Sequence, residues 1–259
     1  MSTWRQRGNL WYLFPHKPIG VIEFIGGGYF AAIPQLTYKL LLEELASAGF
    51  IIRAWSYIPT FDHQAQAKAA TYSFHHERQR SDQHLGDQLS IRIGHSLGCK
   101  LHLLATDSGY NSKALIALSF NNYSAIQSIP LLSNLSKQLG FITDFSPCPS
   151  ETFRLISREY KTSHNLLVQF SNDQLDQSYE LLKVLEKRPN DASEILSQPG
   201  DHLTPIDLSL PKHFVNNWPE QDKIKYSPID KLTQNILSWC EFSIGKKFNR
   251  TIGHNMEKH

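Results

Sequence analysis

Apolar residues along the 259-residue chain fall into short runs that suit strands and longer stretches with helical spacing, and the alternation of the two predicts the layout. Residues 8–14 and 19–25 read as two strands joined around Pro15 and Pro18, whose fixed φ and missing N–H favour a turn. Gly26-Gly27-Gly28 then interrupts the pattern. Between 34 and 48, Leu36, Leu40, Leu41 and Leu45 share a helical face, and Gly49 stands where a left-handed cap belongs. Residues 50–57 return as a β-branched and aromatic strand. A helix is expected over 64–72, and the charged, His-rich 74–87 reads as its solvated continuation. A short strand over 89–94 precedes a helix over 97–107 that closes near Gly109, and 114–120 suits a buried parallel strand. The irregular stretch 121–149 contains Pro130, Gly140, Pro147 and Pro149, so a small lid is expected over about 121–150. Beyond it come a helix over 151–159, a strand over 166–170, a helix over 179–186 and a short strand over 192–196. The last amphipathic helix, 228–244, carries Ile229, Leu232, Ile236, Leu237 and Trp239, and the polar 246–259 reads as a loose tail. This order implies an α/β domain over 1–245, with a mostly parallel sheet covered on both faces.

Composition removes several classes of function. Hydrophobic residues at 41% and charged ones at 19% supply a core, and a formal charge of +2 supplies no basic field for a phosphate backbone, so no nucleic-acid partner is expected. Cys99, Cys148 and Cys240 are odd in number, widely spaced and without a CxxC pair, which favours reduced thiols in a cytoplasmic setting. The first residues lack an apolar signal core, and nowhere do about 18 apolar residues run together, so neither secretion nor a transmembrane segment is expected. His75, His76 and His84 lack HExxH spacing or a partnering cysteine, and no metal is expected.

Gly94-His95-Ser96-Leu97-Gly98 matches the G-x-S-x-G nucleophile elbow, with strand residues Ile91 and Ile93 just before it and helix just after. A serine hydroxyl is a weak nucleophile at neutral pH and needs a histidine base oriented by a carboxylate. Where such an elbow ends the nucleophile's strand, the order is Ser, then acid, then His. Asp173 follows the strand 166–170 and is the expected acid; Asp176 competes with it, and Asp144 or Glu151 serve if the acid lies one strand earlier. For the base, His202 sits in the turn-rich Pro199-Gly200-Asp201-His202-Leu203-Thr204-Pro205, with His213 as the fallback and His254 and His259 in the tail.

Two readings compete for Gly26-Gly27-Gly28. As an oxyanion loop it offers Gly27 and Gly28 N–H groups, joined by that of Leu97. Ile25 stands where the HGGG-type motif has histidine, so support for the loop must come from elsewhere. As a dinucleotide fingerprint, Gly26, Gly28 and Ala31 satisfy G-x-G-x-x-A, yet 50–57 ends without the acid that would bind a ribose.

The sequence resembles the α/β-hydrolase superfamily and, more narrowly, domain-of-unknown-function family 1350 of cyanobacteria and plastids. The narrower likeness rests on the segment from Phe24 through the three glycines to Pro34-Gln35-Leu36-Thr37-Tyr38, on Thr60-Phe61-Asp62-His63, on the elbow through Lys100, and on Gly200-Asp201-His202-Leu203-Thr204-Pro205. The resemblance implies the α/β-hydrolase fold and a serine-hydrolase constellation at Ser96 and His202, and it implies no substrate. The residues together point to a cofactor-free serine hydrolase acting on a small ester, thioester or lipid-like substrate, with Ile126, Ile129, Leu131, Leu132, Leu135 and Phe141 as candidate pocket lining. The rival from another class is a non-catalytic scaffold that binds a ligand or partner. Oligomeric state is left open.

Overall fold

The computed structural model describes residues 3–81, 89–125, 144–207 and 228–245. Eight strands form one sheet: β1 (Arg5–Arg7), β2 (Leu10–Leu13), β3 (Gly20–Ile25), β4 (Phe50–Trp55), β5 (Leu89–His95), β6 (Ala114–Leu118), β7 (His164–Phe170) and β8 (Ala192–Gln198). Their spatial order is β1-β2-β4-β3-β5-β6-β7-β8. The first pair and the β2–β4 pair are antiparallel, and every other pair is parallel. The chain leaves β3 toward β4 on one side and returns to β5 on the other, so a crevice opens above the carboxyl ends of β3 and β5, where open α/β sheets bind ligands.

The helices are α1 (Pro34–Thr37), α2 (Lys39–Ser47), α3 (His63–Ser81), α4 (Leu97–Leu103), α5 (Pro149–Glu159), α6 (Ser178–Leu185) and α7 (Pro228–Ile244), with a 3-10 turn over Gly28–Ala32. On one face Leu41, Leu42 and Leu45 of α2 and Leu232, Ile236 and Trp239 of α7 pack on Ile22, Phe24, Ile91, Ile93 and Val168. The other face is covered by α3 and α4 around Ile25, Trp55, Ala70, Phe74 and Leu101, and by α5 and α6 around Leu115, Leu167, Ile156 and Leu181. Central strands buried on both faces explain why β3 to β6 read as almost continuous apolar runs.

Several expected elements differ in detail. The strand expected over 8–14 is the second arm of a hairpin that turns at Gly8 (φ 55); its first arm, Arg5–Arg7, is wholly exposed and has no apolar signature. The helix expected over 34–48 is broken at Tyr38 (φ −119, ψ 21). The charged continuation after residue 72 is not simply solvated, because α3 buries Phe74 and Glu77. The dinucleotide fingerprint lacks its context: its glycines open a five-residue 3-10 turn rather than an α-helix. Most of the expected lid, His213, His254, His259 and the tail lie outside the described residues. Among the described residues no helix is long and apolar enough to cross a membrane.

One row of the sheet is charged. Glu23 pairs in register with Arg53 on β4 and Arg92 on β5, and all three are buried on the α3–α4 face. Arg78 of α3 donates twice to Glu23 at 2.6 Å, and Arg92 donates to Asp107 at 3.0 and 2.6 Å. Burial works against the Arg92 charge, and Glu23 and Asp107 more than offset it, raising its pKa. Breaking such a pair strands the remaining charge without water. Glu23→Gln is therefore expected to destabilise the fold by about 3 kcal/mol, read as a lower denaturant midpoint at unchanged slope; a change under about 0.5 kcal/mol would show that the network carries no weight.

Candidate active site

The elbow is strained as its motif requires. Ser96 joins β5 to α4 with φ 54 and ψ −120, a region that costs a non-glycine residue on the order of 1–3 kcal/mol. Neighbours hold it there. Ser96 N–H donates to the Leu118 carbonyl at 2.9 Å and Cys99 N–H to the Ser96 carbonyl at 3.1 Å. A Cβ on Gly98 would lie 2.0 Å from the Ile25 carbonyl oxygen, and one on Gly94 would lie 2.6 Å from Cys99 Cα, so both elbow glycines are dictated by close approach.

Three side chains from separate loops meet at this point. His202 Nε2 lies 3.1 Å from Ser96 Oγ, and His202 Nδ1 lies 2.8 Å from Asp173 Oδ2. The Asp173 side chain is fully buried and that of His202 is 19% exposed. The other Asp173 oxygen accepts the Leu175 N–H at 2.8 Å. Burial pushes the Asp173 carboxyl up, but the His202 hydrogen bond and charge together with the Leu175 N–H outweigh it, leaving its pKa below the ordinary value. Local structure aims both loops. Ser171 N–H donates to Gln198 and Asn172 N–H to Gly200, which ties the turn after β7 to the turn after β8. Gly200, at φ 142, leaves only 2.4 Å between its Cβ position and the Thr204 hydroxyl, whose oxygen accepts the Asp201 N–H at 2.8 Å, while Asp201 Oδ1 accepts the Leu203 N–H at 3.0 Å.

The other candidates from the sequence make different contacts. Asp176 points elsewhere: it accepts the N–H and hydroxyl of Ser178 at 2.8 and 3.0 Å. Asp144 accepts backbone N–H groups of Ala125 and Phe145, and Glu151 pairs with Arg154 on the surface. Gly27 sits directly against the elbow, its Cβ position 2.7 Å from Ser96 Cβ, but its N–H donates to Tyr38 Oη at 2.8 Å and is thereby committed. Gly28 has φ 48 and open space at its Cβ position, and Leu97 begins α4 beside Ser96.

Three neighbours escaped the sequence reading. Asn121, three residues beyond β6, donates its amide to Ser96 Oγ at 2.9 Å. His95, inside the elbow motif itself, contacts Tyr38 Oη through Nδ1 and the His202 carbonyl through Nε2, both at 2.8 Å. Tyr38 belongs to the Pro34–Thr37 turn's continuation and is fully buried. An asparagine at a strand's carboxyl end is the kind of signal that would have found Asn121; the other two needed coordinates. Among the described residues no cluster of His, Cys, Asp and Glu suits a metal ion.

Strand order, the elbow after β5, the acidic turn after β7 and the histidine loop after β8 define this as an α/β-hydrolase fold. The chain belongs to the family described as Protein of unknown function (DUF1350), whose model matches residues 3–251. No curated protein matches it. Among solved structures it is similar to Thermogutta terrifontis esterase 2 phosphonylated by sarin (TM-score 0.60, 13% identity, 91% of this chain and 90% of that one). It is also similar to a Pyrobaculum calidifontis esterase (TM-score 0.60, 13% identity, 91% and 80%) and to Paleococcus ferrophilus monoacylglycerol lipase (TM-score 0.53, 14% identity, 89% and 97%). At these identities the likeness is one of fold.

Asp176 supplies a test of the site's electrostatics. Burial raises its pKa from 3.8 to about 6, with Asp173 adding to the shift. Between those values the unfolded chain releases its proton first, so this group lowers stability as pH rises from about 4 to about 6. After solvent screening of a half-buried group, Asp176→Asn is expected to be more stable than wild type by about 1 kcal/mol at pH 8 and equal to it at pH 4, measured by denaturant unfolding at both pH values. An advantage that is the same at both would refute the assignment.

Proposed function

We propose that the protein is a serine hydrolase that cleaves a small ester or thioester through an acyl-enzyme. The observation that carries this reading is the single imidazole of His202 bridging Ser96 Oγ at 3.1 Å and a buried Asp173 carboxylate at 2.8 Å. With Nδ1–H donated to Asp173, Nε2 is left as the acceptor for the serine proton, the protonation order general-base catalysis needs. Ser96 attacks the carbonyl carbon while His202 takes its proton. The tetrahedral intermediate's oxygen accepts the N–H groups of Gly28 and Leu97, and Gly27 shapes that loop rather than donating. As the intermediate collapses, the imidazolium returns its proton to the departing alkoxide or thiolate. Water, deprotonated by His202, then releases the acid from Ser96. The Asn121 amide holds Ser96 Oγ in its rotamer between turnovers. No step calls for a metal or organic cofactor. The expected acyl-binding segment falls mostly outside the described residues, so chain-length preference is a matter for experiment.

A fluorophosphonate probe tests the mechanism directly. Wild-type protein is expected to form a stoichiometric adduct located on Ser96, Ser96→Ala to form none, and His202→Ala or Asp173→Asn to react at least about 100-fold more slowly. Folded wild-type protein that resists several serine-directed probes would instead establish a binding scaffold. For an enzyme that labels, hydrolysis of p-nitrophenyl esters of increasing acyl length reports pocket depth.

A further inference from the structure

The glycine loop lacks the histidine that supports HGGG-type oxyanion loops, because Ile25 stands in its place. The support comes from the other side. Tyr38 breaks the α1–α2 helix, and its ring enters the core edge-on to Phe24 and to His95, with centroids 4.7 and 5.7 Å apart. The ring lies so close to Gly26 that a Cβ there would be 2.6 Å from Tyr38 Cε2. Its hydroxyl meets Gly27 N–H on one side and His95 Nδ1 on the other, each at 2.8 Å.

With a neutral imidazole at His95, one arrangement of protons satisfies these contacts. Gly27 N–H can only donate, so Tyr38 Oη accepts from it and turns its own proton toward His95 Nδ1. The His202 carbonyl can only accept, so His95 Nε2 carries the ring proton. Burial, with His202 nearby, holds the His95 pKa down to about 3, in keeping with a neutral ring. The chain of bonds therefore runs in one direction, from the oxyanion loop through the Tyr38 hydroxyl and the residue beside the nucleophile to the backbone of the base.

Resting on the hydrolase reading above, we propose that Tyr38 and His95 are positioning residues: their directed hydrogen bonds hold the glycine loop and the His202 loop in register with Ser96. Neither touches the reacting atoms. Both act through Gly27 and His202, and a shift of the base by a fraction of an ångström changes the Ser96–His202 contact of 3.1 Å on which proton transfer depends. This assigns a task to the Pro34-to-Tyr38 segment, which the reaction itself does not use.

The test compares the full chain and its variants in fluorophosphonate labelling, with the maximal inactivation rate and the probe's half-saturating concentration measured separately. Tyr38→Phe and His95→Leu are expected to lower the maximal rate about tenfold or more while half-saturation stays within about twofold. His95→Gln, whose amide offers an acceptor and a donor, is expected to recover most of the rate. Folded Tyr38→Phe and His95→Leu proteins that react at the wild-type rate would overturn the proposal. A second measurement needs no variant: nitrogen-15 NMR of the wild-type histidine rings at pH 7 is expected to show His95 neutral with the proton on Nε2. A cationic ring, or one protonated only at Nδ1, overturns the proposal as well. If wild-type protein takes no probe, the hydrolase reading fails, and the His95 proton assignment still stands or falls on its own spectrum.

Discussion

Strand β3, strand β5 and helix α4 come together at one point with room for hydrogen atoms only, and the site depends on that contact. Gly98 presses on the Ile25 carbonyl, Gly94 on the backbone of Cys99, and Gly27 on Ser96 Cβ. A methyl group at any of the three would separate the elements by more than a hydrogen bond tolerates. Because they close, Ser96 is driven into φ 54, a conformation that the chain would leave if the Leu118 and Cys99 backbone contacts were released. The strain is useful geometrically: it stands the hydroxyl at the carboxyl edge of the sheet, in the crevice that the reversal of strand order had already opened.

Holding three loops to a few tenths of an ångström demands more than a good elbow. The turns after β7 and β8 are joined backbone to backbone, so Asp173 and His202 behave as parts of one double loop rather than as two mobile ends. Asp207 N–H donates to the Thr37 carbonyl at 2.7 Å, fastening the far side of the histidine loop beside Tyr38. Deeper in the sheet, the in-register row of Arg53, Glu23 and Arg92 ties β3, β4 and β5 to α3 through directional bonds, where apolar contacts alone would let the helix slide. A buried ion network is an indifferent source of stability and a better source of uniqueness, and here it lies in the strands that lead into the glycine loop and the Ser96 elbow.

Periodicity made most of this architecture readable in advance. Strands β3 to β7 coincide closely with their apolar runs because both faces of the sheet are covered there, and burial on two sides leaves a nearly continuous apolar run. The first hairpin arm was invisible because Arg5, Gln6 and Arg7 bury nothing. The break at Tyr38 was hidden for the opposite reason: Leu41, Leu42 and Leu45 keep a helical spacing that Leu36 and Leu40 extend across it, although those two remain partly exposed. At the site, the elbow and the meeting of Asp173 and His202 with Ser96 were legible since each is local or follows from strand sequence. Contacts such as Asn121 to Ser96, Tyr38 to His95 and His95 to His202 span 25, 57 and 107 residues and leave no periodic trace. The Gly27 N–H bond to Tyr38 Oη was hidden on the same ground, for nothing near Gly27 in sequence announces it.

Two aspartates three residues apart follow from a single turn, yet their surroundings separate them. Asp173 is stabilised as an anion by an imidazole and a backbone N–H, whereas for Asp176 burial and the Asp173 charge outweigh Ser178 and the more distant His202, and it is lifted to about 6. The lower-lying carboxylate is the one suited to orient a histidine, because it keeps its charge whether or not the ring is protonated. Its neighbour has a different electrostatic effect. Asp176 interacts with His202 through space rather than through a hydrogen bond, its oxygens being taken by Ser178. His95, kept neutral by burial, adds no positive charge beside His202. On the proposed hydrolase reading, a buried carboxylate against one nitrogen of the imidazole and a neutral His95 ring beside it both favour proton transfer from Ser96.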